Sequence, residues 1–120
     1  MSGPLPSHLV LLSELATCEP GQKVRFLGCI EEYITRTATL RLKHDYPPSS
    51  SPYVANVNIA HVLERIKRHE LEVGSWINII GSMERRKEKG IYVQAIAVWD
   101  AGNMDLDAYQ KAVDKRREAG

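Results

Sequence analysis

A short basic stretch has the clearest capacity for binding chemistry in this sequence. Residues 85–89 (RRKEK) carry four cations between two segments with strand-like alternation, and Tyr92 follows shortly after. Cations bind phosphates, and an aromatic ring beside them stacks on exposed bases. The candidate nucleic-acid contacts are Arg41, Lys43, Arg85, Arg86, Lys87, Lys89 and Tyr92, with Tyr53 as a second candidate ring.

The basic stretch also has a simpler interpretation. A charged hairpin tip keeps a sheet edge soluble without binding anything. For residues 85–89 taken alone this interpretation is slightly favoured, because Glu84 and Glu88 offset part of the charge. We therefore expect DNA contact without strong independent affinity.

Residue types that support catalysis or metal binding do not occur in the required patterns. The histidines, which are His8, His44, His61 and His69, form neither an H-E-x-x-H motif nor a Cys/His cluster. We interpret them as ordinary surface or helix-end residues. There is no glycine-rich phosphate loop and no G-x-S-x-G elbow. The sequence therefore predicts a non-enzymatic protein with neither a metal nor a cofactor.

The C-terminal segment predicts an amphipathic helix with one apolar stripe. This stripe either packs on the chain's own core as a structural plug or docks a partner in the helix-in-groove manner. Tyr109 and Arg116 are of the types that dominate interface energies. Leu27 and Ile80 would add area, and for them the alternative is burial under the N-terminal segment. The predicted partner-binding residues are Leu106, Tyr109, Val113, Arg116, Leu27 and Ile80.

Composition limits the class of protein. The chain has 120 residues, 43% of them hydrophobic, and a formal net charge of +1. These values predict one domain with a single core and a weak overall attraction to polyanions, so nucleic-acid affinity must come from a local patch or a partner. No apolar run approaches the roughly 20 residues that span a bilayer, and the start lacks signal-peptide features. We expect a soluble, non-secreted protein with Cys18 and Cys29 reduced.

The elements that must position these residues follow from hydrophobic periodicity. Two apolar runs, residues 23–30 (KVRFLGCI) and 76–83 (WINIIGSM), each contain a glycine inside strand-like alternation. Such glycines indicate coiling, a bulge or close backbone approach, as a small closed barrel requires. Five strands are predicted at residues 23–35, 39–44, 54–58, 76–84 and 91–99, with a helix from Ile59 and another from Asp105.

This order predicts a five-stranded OB-fold Greek-key barrel with a helix between strands 3 and 4 and a C-terminal helix. In that fold the loop between the fourth and fifth strands helps form the nucleic-acid groove. We divide the single domain into an N-terminal lead-in (1–20), the barrel (21–103) and a partner-binding helix (104–120).

Several stretches, in their order and spacing, resemble the fungal form of the Ten-one family, the smallest subunit of the telomere-capping CST complex. They are residues 3–7 (GPLPS), 9–15 (LVLLSEL), 21–28 (GQKVRFLG), 73–81 (VGSWINIIG) and 93–102 (VQAIAVWDAG). The resemblance implies a nuclear, telomeric OB-fold protein that forms a heterodimer with the Stn subunit through its C-terminal helix and one barrel face. It also implies indirect contact with the larger CST subunit, protection of telomeric single-stranded DNA and support of polymerase alpha–primase.

An alternative hypothesis remains open at this point. The chain is instead an autonomous single-stranded nucleic-acid binder, similar to the smallest subunit of replication protein A. Tight binding by the protein alone would favour this alternative, and a requirement for an OB-fold partner would favour the first hypothesis.

Overall fold

The strands form where apolar and polar residues alternate. The computed structural model describes residues 8–46, 53–66, 71–102 and 106–119. The strands are β1 (His8–Leu9), β2 (Lys23–Ile34), β3 (Thr39–Lys43), β4 (Val54–Asn58), β5 (Trp76–Glu84) and β6 (Ile91–Asp100). The helices that lie wholly within the described residues include α1 (Leu106–Ala119) and the short 3-10 helices Leu12–Thr17, Thr35–Thr37 and Ala60–Arg65.

The sheet closes on itself. Its strand order is β1-β2-β3-β4-β6-β5, and β2 also pairs with β5. β4 and β6 run parallel, and the other barrel pairs are antiparallel. β1 lies beside β2 as a short parallel addition. The predicted five-stranded barrel, with its helix between the third and fourth barrel strands, is therefore confirmed.

Glycine allows two close approaches in this barrel. A Cβ atom at Gly28 would lie 2.8 Å from Cβ of Leu42, and one at Gly81 would lie 2.5 Å from the carbonyl oxygen of Gln94. The register between β5 and β6 shifts at Ile80 and Gly81, which is a β-bulge. The interpretation of these glycines as signs of a closed barrel is confirmed.

The core fills the inside of the barrel with the inward residues of each strand. Its largest members are Leu12, Leu15, Phe26, Ile30, Leu40, Leu42, Ile59, Ile77 and Ile79. The segment before β2 contains both β1 and a 3-10 helix. The helix after β4 is a 3-10 helix, and the side-chain oxygen of Asn58 accepts from the Ala60 N–H at 3.0 Å.

The C-terminal helix is present at the predicted place, although Asp105 itself lies outside the described residues. No helix in the described part of the chain is long and apolar enough to cross a membrane. Cys18 and Cys29 carry free thiols, and burial raises the pKa of each.

Candidate nucleic-acid and partner interfaces

Strand register brings polar residues from three neighbouring strands into rows on the outside of the barrel. Arg41 pairs with Asn56, and Asn56 pairs with Tyr92. The next row contains Asn58 opposite Gln94. Because directly opposite residues point to the same side of a sheet, these side chains share one surface. We call it the β3–β4–β6 face, and its members are Arg41, Lys43, Asn56, Asn58, Tyr92 and Gln94.

Two of the arginines at this surface have acidic neighbours. Arg41 Nη1 lies 3.2 Å from Glu32 Oε1, and Arg86 Nη2 lies 3.4 Å from Glu84 Oε1. All four side chains are substantially exposed, so these pairs contribute little to stability. Both arginines therefore exchange their carboxylate for a phosphate at small cost.

The basic hairpin folds back onto this face. Arg86 Cζ lies 4.9 Å from the centroid of the Tyr92 ring, and the Tyr92 hydroxyl donates to the carbonyl of Lys89 at 3.3 Å. Gly90 has φ of 133°, and a Cβ there would lie 3.3 Å from Tyr92 Cε2. The turn thus requires glycine, because the chain passes close to the ring in a backbone conformation that other residues rarely adopt.

The structure brings together most of the predicted nucleic-acid contacts. Tyr92 contacts both the Arg86 guanidinium and the backbone carbonyl of Lys89, and Arg41 lies in the same row as Tyr92. Lys43, Arg85 and Lys87 are exposed, and none forms an ion pair within the described residues. Tyr53 is 49% exposed just before β4. Their role in binding nucleic acid stays a prediction.

The amides of Asn56 and Gln94 on this face were not among the residues predicted from the sequence. Asn56 Nδ2 donates to the carbonyl of Ile91 at 3.1 Å. Gln94 Nε2 donates to the backbone carbonyl and to Oδ1 of Asn58, both at 3.4 Å. The alternation of Asn56 and Asn58 on β4 was a usable signal, but it does not reveal which amide atoms remain accessible.

A second surface, on a different part of the barrel exterior, is covered by α1. Leu27 points outward between the inward residues Phe26 and Gly28, yet it is fully buried. Leu11 and Val113 are each 1% exposed and, like Leu27, lie outside the barrel's core cluster. These side chains therefore form a small apolar layer between the barrel and the chain's own terminal helix.

Polar contacts tie α1 to the same place. The Tyr46 hydroxyl donates to Asp114 Oδ2 at 2.6 Å, and this bond is the main reason that the pKa of Tyr46 is raised. The Tyr109 hydroxyl donates to the carbonyl of Val10 at 3.4 Å, and burial raises the pKa of Tyr109 to about 12. We call this region the helix seat, and its members are Leu11, Leu27, His44, Tyr46, Tyr109, Gln110, Val113 and Asp114.

His44 is at the centre of the helix seat. It is 4% exposed, its ring meets Trp76 edge-on at 5.3 Å, and its Nε2 lies 3.0 Å from Gln110 Nε2. With the amide nitrogen on this side, Gln110 donates to His44 Nε2, and His44 Nδ1 has no hydrogen-bond partner among the described residues. Burial lowers the pKa of His44, while Asp45 acts in the opposite direction.

The helix seat corrects two expectations. The interpretation of His44 as an ordinary surface residue is wrong, because its ring is enclosed by aromatic side chains and α1. Leu27 and Val113 are not free for a partner, because they pack between the barrel and α1. The structural-plug alternative describes Val113, and burial, which was the alternative for Leu27, describes Leu27. His61 is exposed, whereas His69 and the side chain of His8 lie outside the described residues.

The remaining predicted partner residues have different surroundings. Ile80 is partly exposed on the outer side of β5, opposite Arg25 and Ala97. On β6 beside it, Ile96 is 44% exposed at the bulge, and Arg25 Cζ lies 5.3 Å from the ring of Trp99. Tyr109 is mostly buried in the helix seat. The side chains of Leu106 and Arg116 lie outside the described residues.

A closed five-stranded barrel with a polar strand face and a helix at its C-terminal end defines a small OB-fold protein, a class that binds oligonucleotides through strands 2 and 3 and the adjoining loops. The chain belongs to the Ten1 family, described as telomere capping, CST complex subunit, whose family model matches residues 1–114. It is 30% identical over 112 residues to the protein ten1 of Schizosaccharomyces pombe, covering 93% of this chain and 95% of the relative.

Solved structures agree on the fold. The chain is similar to one chain of the S. pombe Stn1-ten1 complex, with a TM-score of 0.77, 24% identity and 98% of both chains covered. It is also similar to a U. maydis replication protein A structure bound to single-stranded DNA, with a TM-score of 0.63, 16% identity and 94% and 91% coverage. The predicted OB-fold and the resemblance to the Ten-one family are thus confirmed.

Proposed function

We propose that this chain is a non-catalytic subunit that forms a heterodimer with a Stn-family OB-fold protein and helps it bind and protect single-stranded telomeric DNA in the nucleus. The observation that carries the proposal is the family match over residues 1–114. The similarity to a chain of the Stn1-ten1 complex, at full coverage, supports the choice of partner. Indirect contact with the larger CST subunit and support of polymerase alpha–primase belong to the same proposal.

The partner surface that we propose differs from the one expected from sequence. Two residues of the apolar stripe of α1, Tyr109 and Val113, pack in the helix seat. A partner therefore uses the opposite side of α1, where the exposed residues are Ala108, Lys111, Ala112 and Lys115. Ile80 and Ile96 add apolar area on the outer side of β5 and β6. Tyr109, Leu27 and Val113 then act indirectly, because they hold α1 in the orientation that presents its exposed side.

The DNA surface that we propose is the β3–β4–β6 face with the basic hairpin. Within the described residues its cations form no ion pair or only an exposed one, and Arg86 with Tyr92 offers a stacking platform for a base. The net charge of +1 supplies little general attraction for a polyanion. This chain therefore contributes groove surface while the partner supplies most of the affinity.

The heterodimer is tested by co-expressing the chain with a Stn-family partner and measuring the mass of the purified species by size exclusion with light scattering. We expect a one-to-one complex. Ile96→Asp and Ile80→Asp should reduce the recovered complex, because each buries a charge without a partner. Tyr109→Ala should reduce it as well by loosening α1.

The matched control is Val73→Asp, since Val73 is an aliphatic residue that is 70% exposed in the turn before β5 and is not a member of the proposed surface. It should leave the complex intact. Circular dichroism of each isolated variant shows whether the barrel is folded. Full recovery of the complex with all three test variants folded would rule out the proposed partner surface, and the absence of any complex with wild type would rule out the heterodimer.

Autonomous single-strand binding is the second candidate function. The similarity to replication protein A bound to single-stranded DNA and the preformed Arg86–Tyr92 pair favour it. A titration of DNA into the isolated chain at physiological salt separates the two candidates. Weak binding that strengthens strongly in the heterodimer supports a helper subunit, and equally tight binding by the chain alone supports the autonomous binder.

A further inference from the structure

We propose that the β3–β4–β6 face discriminates between bases and prefers cytosine, which carries an amino group at C4, to uracil and thymine, which carry an oxygen there. The inference rests on the proposed function, since it requires that this face binds single strands. It depends on two side-chain oxygens, Asn56 Oδ1 and Gln94 Oε1, whose direction is set by the hydrogen bonds of the amide nitrogens.

The orientation of both amides follows from their partners. Asn56 Nδ2 lies 3.1 Å from the carbonyl oxygen of Ile91, which only accepts, so the amide must present its nitrogen there and turn Oδ1 away. Gln94 Nε2 lies 3.4 Å from the carbonyl oxygen of Asn58 and 3.4 Å from Asn58 Oδ1. Asn58 Oδ1 is identified as an oxygen because it accepts from the Ala60 N–H at 3.0 Å.

Both oxygens that are turned away remain accessible acceptors. Neither Asn56 Oδ1 nor Gln94 Oε1 receives a hydrogen bond from the described residues. Within the described part of the chain, His44 Nδ1 is the only side-chain atom that is both buried and without a hydrogen-bond partner. The two amide oxygens are therefore not buried. Asn56 and Gln94 are partly exposed. The face therefore presents two amide acceptors to whatever binds it.

The two acceptors flank the stacking platform. Asn56 is directly opposite Tyr92, and Gln94 follows Tyr92 by two residues on the same side of β6. The Asn56 nitrogen lies toward Gly90, where a Cβ would be 3.6 Å away, so the nitrogen side of this amide is turned to the hairpin. Asn56 Oδ1 is therefore turned away from the hairpin, and a base that stacks on Arg86 and Tyr92 meets the two oxygens where it extends over the strand face.

The chemistry of the base edge decides the preference. Cytosine N4 is a donor, whereas O4 of thymine, like that of uracil, is an acceptor. An amino group at this position gains a hydrogen bond from an amide oxygen, while a carbonyl there places two acceptors against each other. Because stacking alone tolerates every base, the discrimination must come from these acceptors.

The test uses the full chain at low salt, about 50 mM, where phosphate contacts are strongest. Short single strands of deoxycytidine and of deoxyuridine, which differ at C4 and in the protonation of N3, are titrated by fluorescence anisotropy. We expect deoxycytidine to bind about fivefold more tightly, the effect of roughly one net hydrogen bond. The pair of 5-methyldeoxycytidine and thymidine should give the same ratio.

Variants assign the ratio to the two oxygens. Asn56→Leu and Gln94→Met keep the size of the side chain, and each should bring the cytosine-to-uracil ratio toward one. The matched surface variant Lys87→Ala should weaken binding to both strands equally and leave the ratio near its wild-type value. A thermal melt of each variant confirms that it is folded.

The outcomes separate this inference from the proposed function. Equal affinity of wild type for both strands overturns the base preference and leaves the proposed DNA role in place. A wild-type ratio that persists in both folded amide variants also overturns it. A wild-type chain that binds neither strand at low salt overturns the preference together with the DNA-binding part of the proposed function.

Discussion

The β3–β4–β6 face and the helix seat both lie on the outside of one barrel, but they use their polar groups in opposite ways. In the helix seat, Tyr46 is bonded to Asp114 and His44 to Gln110 beneath α1. On the β3–β4–β6 face, Asn56 and Gln94 each use the amide nitrogen within the fold and leave the oxygen accessible. Polar groups that are hydrogen-bonded within the fold stabilise it. Polar groups that the fold orients but does not hydrogen-bond are available to a ligand.

The largest expected effect tests whether α1 is truly seated on the barrel. Leu27→Ala should lower the free energy of unfolding by about 3 kcal/mol, because it removes a fully buried side chain beneath α1. Urea unfolding followed by circular dichroism measures this change. The matched control is Ile96→Ala, since Ile96 is an aliphatic residue that is 44% exposed, and it should cost under about 1 kcal/mol.

A loss for Leu27→Ala no greater than that for Ile96→Ala would mean that the helix seat does not exist as described. The apolar stripe of α1 would then again be a candidate for partner binding, as the sequence predicts. The contrast between the helix seat and the β3–β4–β6 face would also be lost.

The next effect concerns the platform of the β3–β4–β6 face. Tyr92→Ala should weaken single-strand binding by about 2 kcal/mol, because it removes the ring on which Arg86 and a base stack. Tyr92→Phe is the matched control, because it keeps the ring and removes only the hydroxyl that donates to the Lys89 carbonyl. Fluorescence anisotropy with the heterodimer should show near wild-type affinity for Tyr92→Phe. Equal losses in both variants would contradict stacking.

Protonation of His44 should destabilise the helix seat and lower the free energy of unfolding. The pKa of His44 is lowered by burial in the folded chain, so the unfolded chain binds the proton more readily. Stability is therefore fully present well above pH 6.5, the ordinary His value, and falls as pH drops below it. The slope from one such group is at most about 1.4 kcal/mol per pH unit.

Urea unfolding at about pH 7.5 and about pH 5.5 measures this dependence. His44→Gln should remove the part that belongs to His44, whereas His61→Gln, at an exposed position, should keep it. An unchanged pH dependence in His44→Gln would show that the ring is not held neutral by its burial.

Local pattern was enough to predict most of the fold, because alternation sets which side of a strand faces the core. Gly28 and Gly81 even indicated a closed barrel, and the structure shows a close approach of neighbouring atoms at both places. The packing of the apolar stripe of α1 on its own barrel was not predictable. Whether Val113 meets its own barrel or a partner depends on tertiary packing, and an amphipathic pattern is the same in both cases.

The candidate sites were predictable in residue type but not in geometry. The basic hairpin and Tyr92 were found because their chemistry is visible in the sequence. The contact between His44 and Gln110 joins positions 66 residues apart, so no spacing rule relates them. The accessible oxygen of Asn56 depends on one backbone carbonyl of another strand, that of Ile91, and no property of the asparagine itself predicts it.

The smallest expected effect compares one exposed lysine of the basic hairpin, Lys87, with one exposed lysine of α1, Lys111. Lys87→Ala should reduce the slope of log affinity against log salt by about 0.7 and leave stability unchanged, because Lys87 has no ion pair in the described structure and is free to contact one phosphate. Lys111→Ala should leave the salt slope unchanged, because Lys111 is on α1, where it pairs with Asp107 at 2.9 Å. It should instead cost about 0.3 kcal/mol of stability, the usual value of such a pair. Anisotropy titrations of the heterodimer at several salt concentrations, with urea unfolding of each isolated chain, measure both quantities. A salt slope that falls in Lys111→Ala and not in Lys87→Ala would place the DNA on α1 and reverse the roles of the two surfaces.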